Sequence, residues 1–242
     1  MNNRMHRRRA ISSTALALVL CVVPAVTWAV NLIVDGGFED PVVPVGGFTS
    51  VLSGSSFGAG NPWTVIGPAG TSVSPISGAY GFGGFTFPAQ SGNQWLDLTG
   101  DVVNSTEGVR QTVATTLGAN YTLSFYVGNV FNPGGPWGTS STVDVSINGG
   151  PAVAYTNSMN GGSSQVWEQF TANFTATSAN TTISFVNGDP AFDNTNGLDN
   201  VSLVLGNAPP PPPPTSVPEP ATLSLLGLGL AGLGFMRRRK AS

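Results

Sequence analysis

The chain has 242 residues, only 9% of them charged, with 32 glycines and 19 prolines. Four of its nine cations lie before residue 10 and four after residue 236, so Val30 to Ser216 holds only Arg110 against eleven acids, a net charge of −10. Such a surface repels phosphate backbones and anionic lipid and excludes nucleic acid as a partner. The only histidine is His6 and the only cysteine Cys21, so the span beyond them has no Ser-His-Asp or Cys-His nucleophile, no imidazole or thiolate zinc site and no disulfide.

Residues 1–29 have the order of an export signal. Arg4, Arg7, Arg8 and Arg9 make a positive start, Ile11 to Val23 an apolar helical stretch, and Thr27-Trp28-Ala29 a small-residue cleavage site. The mature chain is expected to begin near Val30. Arg8-Arg9-Ala10-Ile11 loosely suits twin-arginine export, but an Arg-rich general secretory signal is the simpler reading.

Val30 to Leu205 is long enough for one well-cored domain. Gly, Ser, Thr and Asn separate short apolar runs, and no segment keeps a 3.6-residue apolar period over three turns. The pattern predicts ten strands: Asn31–Val34, Trp63–Ile66, Gln94–Leu98, Val109–Thr115, Tyr121–Val127, Thr142–Ile147, Ala152–Tyr155, Trp167–Thr175, Thr181–Val186 and Leu198–Leu205. Tyr121, Leu123, Phe125 and Val127 share one face, with Thr122 and Ser124 on the other. Val143, Val145 and Ile147 alternate with Asp144 and Ser146, and Asn148-Gly149-Gly150 then marks a hairpin turn. Strands of this number and length predict an all-β domain, a sandwich of two antiparallel sheets.

Five segments in order carry a resemblance: Asn31-Leu32-Ile33-Val34-Asp35-Gly36-Gly37-Phe38-Glu39, Gly108-Val109-Arg110-Gln111-Thr112, Gly118 to Phe125, Trp167 to Ala172, and Gly197-Leu198-Asp199-Asn200-Val201-Ser202-Leu203. Together they resemble the galactose-binding-domain-like jelly rolls, including certain carbohydrate-binding modules. Pro41 to Gln90 departs from that pattern, being long, Gly-rich and without a matching motif. The resemblance implies a jelly roll whose first and last strands lie close, with a structural Ca2+ between them. The matching positions are Glu39 and Asp199, and carboxylates with backbone carbonyls suit such a hard cation. The bland alternative is a capped turn at Asp199 and a solvated Glu39. Asp189, Asp193 and Asn194 form another oxygen-rich loop without EF-hand spacing, read as solvated.

Saccharide recognition uses aromatic faces and a few orienting polar groups. Trp63, Trp95 and Trp167 lie in strand-like runs and are expected in the core. Trp137 lies in the aperiodic loop Asn132-Pro133-Gly134-Gly135-Pro136-Trp137-Gly138, and Tyr80, Phe82, Phe85 and Phe87 in another Gly-rich stretch. Trp137, Tyr80 and Arg110 are the ligand-binding candidates. Arg110 has a plainer alternative, an ion pair with an acid such as Glu107.

Six prolines, Pro209 to Pro214, follow the domain. They predict a polyproline II spacer over 206–217. Residues 218–242 then run Pro218-Glu219-Pro220, an uncharged stretch from Ala221 to Met236, and Arg237-Arg238-Arg239-Lys240. At ~1.5 Å per residue, 221–236 as a single transmembrane helix falls slightly short of a ~30 Å hydrocarbon core. Its basic end stays cytoplasmic, so the domain faces outward. This tripartite order resembles the PEP-CTERM sorting signal of Gram-negative bacteria. The resemblance implies recognition by an exosortase, which cuts near the triplet after the helix has served as a temporary anchor.

The expectation is an exported, exosortase-sorted surface or matrix protein, non-enzymatic, whose sandwich binds polysaccharide or supports biofilm cohesion. Two alternatives stay open: a glycan hydrolase using paired carboxylates among Asp97, Asp101, Asp144 and Glu168, and a structural exopolymer protein without a ligand.

Overall fold

A computed structural model describes residues 30–100, 106–190 and 195–206. The signal helix, the proline spacer, the sorting signal with its transmembrane helix, and Asp101, Asp193 and Asn194 lie outside the described residues. The described part is all-β, and no helix in it is long and apolar enough to cross a membrane.

The strands are β1 (Val51–Leu52), β2 (Thr64–Ile66), β3 (Ser72–Ser77), β4 (Gly81–Phe82), β5 (Phe85–Thr86), β6 (Gln94–Asp97) and β7 (Gly108–Ala114). They continue with β8 (Asn120–Asn129), β9 (Ser141–Ile147), β10 (Val153–Asn157), β11 (Val166–Thr175), β12 (Asn180–Asn187) and β13 (Gly197–Leu205). A six-stranded sheet, β1-β3-β6-β13-β8-β11, packs on a five-stranded sheet, β10-β9-β12-β7-β2, and β4 and β5 form a separate hairpin. All pairings between named strands are antiparallel. This is the expected jelly-roll sandwich.

Alternation decides which side chains enter the interior. In β8, Tyr121, Leu123, Phe125 and Val127 are buried while Thr122, Ser124 and Tyr126 are only half-buried. The turn after β9 forms at the predicted dipeptide: Asn148 and Gly149 have φ of 52° and 69°, and the Gly150 amide donates to the Ile147 carbonyl. The left-handed pair matches the strand twist of a tight hairpin. Between the sheets, Phe125 lies 5.1 to 6.1 Å from the ring centroids of Phe185, Tyr155 and Phe170. Such ring pairs add about 0.5–1.5 kcal/mol each beyond the burial of their area.

Asn31–Val34 corrects an expectation, because it forms no strand. The Asn31 side-chain oxygen accepts the amides of Ile33 and Leu203, and the Leu32 amide reaches the Leu203 carbonyl. A side chain that bonds its own backbone two residues on competes with a ladder. The first and last segments still meet, as the resemblance implied.

Unlike the five-stranded sheet, the six-stranded sheet also carries a cover on its outer face, over β3 and β6. Its inner face joins the large core with Leu96, Leu98, Leu123 and Leu198. Its outer face carries a second, smaller core of Ile76, Phe87, Trp95 and Val130. That second core positions the site.

Candidate ligand cleft

Strands β3 and β6 lay the floor. In register, Ser74 stands opposite Asp97 and Ile76 opposite Trp95. Because side chains alternate, these four share the outer face while Leu96 points into the main core. The covering segment is then pinned by indole hydrogen bonds: Trp95 Nε1 donates to the Phe87 carbonyl at 3.0 Å and Trp167 Nε1 to the Pro88 carbonyl at 2.9 Å. The Trp167 ring lies over two glycines that face each other across strands, Gly128 and Gly197. A Cβ on either would stand 2.9 to 3.0 Å from its ring carbons.

What results is a cleft of about 250 Å3, walled by aromatic rings and floored by Ser74 and Asp97, with Thr195 at its side. The rings form a continuous chain. Phe48 meets Tyr80 edge-on at 5.9 Å, Tyr80 meets Phe87 at 5.5 Å, and Trp137 stands edge-on to Phe87 at 5.5 Å and to Phe82 at 6.3 Å. Trp95 stacks on Phe87 with centroids 6.4 Å apart.

Asp97 is the charged member. Its Oδ1 accepts three hydrogen bonds, from the Thr99 amide at 3.0 Å, the Thr99 hydroxyl at 2.8 Å and the Asn196 amide at 3.2 Å. Its Oδ2 accepts none among the described residues. Burial is the largest influence on this carboxyl, and with the nearby Glu107 it pushes the pKa up to about 7 against those three bonds. The Ser74 hydroxyl, directly across, is buried without a hydrogen-bond partner. A hydrogen-bonding group of a ligand would satisfy both.

Two expected ligand residues, Tyr80 and Trp137, therefore meet in one cleft. Arg110 does not join them: it is exposed on the outer face of the five-stranded sheet, opposite Ser184 and Thr64. Of the tryptophans expected in the core, Trp63 is there, whereas Trp95 is buried and also lines the cleft. Asp144 lies in β9 of the other sheet and Glu168 on the edge strand β11, so neither forms a pair with Asp97. The sequence pattern gave Ser74 and Phe48 no role, and placed Phe82 only among the aromatics of a Gly-rich stretch. The Phe85, Phe87 alternation was the available signal for a covered face here.

Glu39 and Asp199 come together beside Gly37, at the corner where the first and last segments meet. Asp199 Oδ2 accepts the amides of Gln90 at 2.9 Å and Ser91 at 3.1 Å, and its Oδ1 accepts the Asn200 amide. Glu39 Oε1 accepts the amides of Asn93 and Gln94. Burial, then the neighbouring Glu39, raises the Asp199 pKa to about 7 against its amide bonds. Ca2+ takes six to eight oxygen ligands. Here most carboxylate oxygens face amide hydrogens, and no cluster of three acidic ligands exists among the described residues. As placed, this corner does not fit the ion.

The sequence pattern of the HpiC1 cyclase family matches residues 29–204, the whole sandwich. The chain belongs to that family. The PEP-CTERM protein-sorting motif matches residues 216–240. That motif makes this an exported protein, held transiently in the membrane before exosortase processing. No curated protein matches the chain. Among solved structures, it is similar to TmCBM61 in complex with β-1,4-galactotriose, at 17% identity over 73% of this chain and 99% of that one, with a TM-score of 0.42. It is also similar to the CBM22-1 xylan-binding domain of Paenibacillus barcinonensis Xyn10C, at 14% identity over 69% and 99%, with a TM-score of 0.41. A family 16 carbohydrate-binding module matches at 20% identity over 72% and 99%, with a TM-score of 0.37.

Proposed function

We propose that this exported, sorted protein is a surface or matrix component that binds saccharide rings in the cleft between Tyr80 and Trp137. The observation that carries this is the pairing of an aromatic wall with a polar floor, Ser74 and Asp97, that has hydrogen-bonding capacity left over. Aromatic faces take the apolar side of a pyranose ring, and a few convergent polar groups orient its hydroxyls. Retention in the matrix, and a contribution to biofilm cohesion, would follow from binding a polymer that other copies also bind. The test is calorimetry of the mature protein with oligosaccharides. Binding should weaken at least tenfold in Trp137→Ala and Tyr80→Ala, and a protein that binds no glycan is left as a structural exopolymer component.

A second reading, catalysis, is favoured by one feature. The family is named for a cyclase, and Asp97 is a buried carboxyl whose raised pKa keeps a proton available near neutrality. Ring closure begun by proton donation and ended by proton loss conserves the substrate's formula. A product of unchanged mass but altered retention, abolished by Asp97→Asn, would establish it.

Calcium at Glu39 and Asp199 is carried forward as a proposal with a structural condition. Binding requires the Gln90–Ser91 amides to leave Asp199. A rise in Tm on adding Ca2+, reversed by chelation, would support it, and an unchanged Tm would reject it.

A further inference from the structure

The cleft encloses a carboxyl with aromatic rings and offers no cation to pair with it. Among the described residues its lining holds no Lys, Arg, His, Asn or Gln, and the polar side chains there are Asp97 and the hydroxyls of Ser74, Tyr80 and Thr195. The single cation of the mature span, Arg110, is on the outer face of the opposite sheet. The groups that face Asp97 are Ser74 from β3, Thr99 from beyond β6, Asn196 from before β13 and Glu107 from before β7, and only Glu107 among them titrates. Every charge that reaches Asp97 is therefore negative.

Neutral hydroxyls are commonly oriented by amides and mixed donors and acceptors. This floor offers one carboxylate, an acceptor only once ionised, and hydroxyls that can accept as well as donate. Asp97, whose three hydrogen bonds all fall on Oδ1, and the buried Ser74 Oγ, which has no partner among the described residues, stand on directly opposite residues of adjacent strands. An ammonium group carries three donors and no acceptor. Aromatic rings attract a cation to their faces, most strongly where it is desolvated. The net charge of −10 on the mature span draws cations in and keeps anionic sugars out.

We propose that the cleft binds an organic ammonium group, held by Asp97 and Ser74 within the aromatic wall. Resting on the saccharide reading above, the ligand is an amino sugar whose nitrogen is free rather than acetylated. The raised pKa of Asp97 agrees with this, because a buried carboxylate short of a counter-ion holds its own proton until a cation replaces it.

Three probes titrated into the mature protein at pH 7 test the proposal: glucosamine oligomers, their N-acetylated counterparts, and tetramethylammonium. The free amine should bind roughly tenfold or more tightly than the acetylated sugar. Tetramethylammonium, whose charge does not titrate, should compete with it and lose affinity about tenfold per pH unit as pH falls below about 7, because Asp97 must then give up a proton. Asp97→Asn should erase the preference for the free amine, and if that variant does not fold, the pH profile of the native protein decides. Equal binding of free and acetylated sugars overturns the ammonium inference and leaves the saccharide reading standing. Binding of tetramethylammonium with neither sugar supports the ammonium site and overturns the saccharide reading. Binding of none overturns both.

Discussion

The stretch from residue 108 to 205 and the stretch from 41 to 100 both supply strands to the six-stranded sheet, by different means. The first supplies long strands, β8 with β11 in an unbroken ten-residue register and β13 beside them, with apolar side chains on alternate positions. The second supplies short strands, turns and a hairpin, yet it contributes most of the cleft, from Phe48 to Asp97. Regular strands make a core that holds itself; the irregular stretch is held by what it covers. Stability should therefore follow the side chains packed between the two sheets, and binding those that line the cleft.

The largest effect is expected where the regular region is densest. Phe125→Ala empties the centre of the ring cluster between the sheets and should cost about 3–5 kcal/mol in denaturant unfolding. Phe87→Ala in the small core should cost less and should abolish binding. Equal losses at the two sites would remove the distinction between a scaffold and a cover.

Asp97 comes next, as a polar group of the irregular region whose pKa is raised mainly by its burial. Its folded pKa, about 7, lies above the ordinary carboxyl value of 3.8, so the folded state holds an extra proton between those values. Stability should then fall as pH rises through that window and level off above it. A rise of about three pH units corresponds to a contribution on the order of 4 kcal/mol at most. Unfolding free energies at pH 4.5 and 7.5 should differ in the native protein by about twice what they do in Asp97→Asn, because Asp199, also raised to about 7, keeps its own slope.

The same contrast explains what could be read from the chain. Wherever one sheet face is wet, period-two alternation marks the strand, as in Tyr121–Val127 and Val143–Ile147. β3, Ser-Val-Ser-Pro-Ile-Ser, is buried at all six positions because the core lies on one face and the cleft on the other. Its serines and proline hide it. Pro75 is tolerated because the neighbouring β1 is only two residues long and pairs with Ser72 and Val73. The ligand aromatics Tyr80 and Trp137 were visible as loop-borne rings with no period to bury them. Ser74 and Asp97 were not distinguishable as a pair, since their meeting depends on the register between β3 and β6, 23 residues apart in the chain. Arg110 stood out in composition alone, and alternation along β7 then sends it to the far face.

A smaller effect is expected at the glycine pair beneath Trp167. Gly197→Ala places a methyl about 3.0 Å from the indole and should cost about 1–3 kcal/mol, as overpacking does. The indole can yield only by loosening its bond to the Pro88 carbonyl, which ties the cover to the sheet. Tm should fall together with ligand affinity, whereas a fall in Tm alone would mean that Trp167 does not transmit strain to the cleft.

The smallest change in stability is expected at Trp137, and it is the sharpest test of the contrast. This indole is half-buried, in a loop, and edge-on to Phe82, Phe85 and Phe87. Its removal empties part of a surface cleft that water can refill, so Trp137→Ala should cost about 1 kcal/mol or less, far below a fully enclosed ring. The same substitution takes away one wall of the site and should weaken ligand binding at least tenfold, a change of about 1.4 kcal/mol in binding free energy. Trp63→Ala, in the main core, should do the reverse at the level of the folded fraction: a large loss of stability with native affinity in the molecules that remain folded. If Trp137→Ala instead unfolds the domain, the rings of the cleft wall belong to the scaffold, and the division of labour between core and cleft fails.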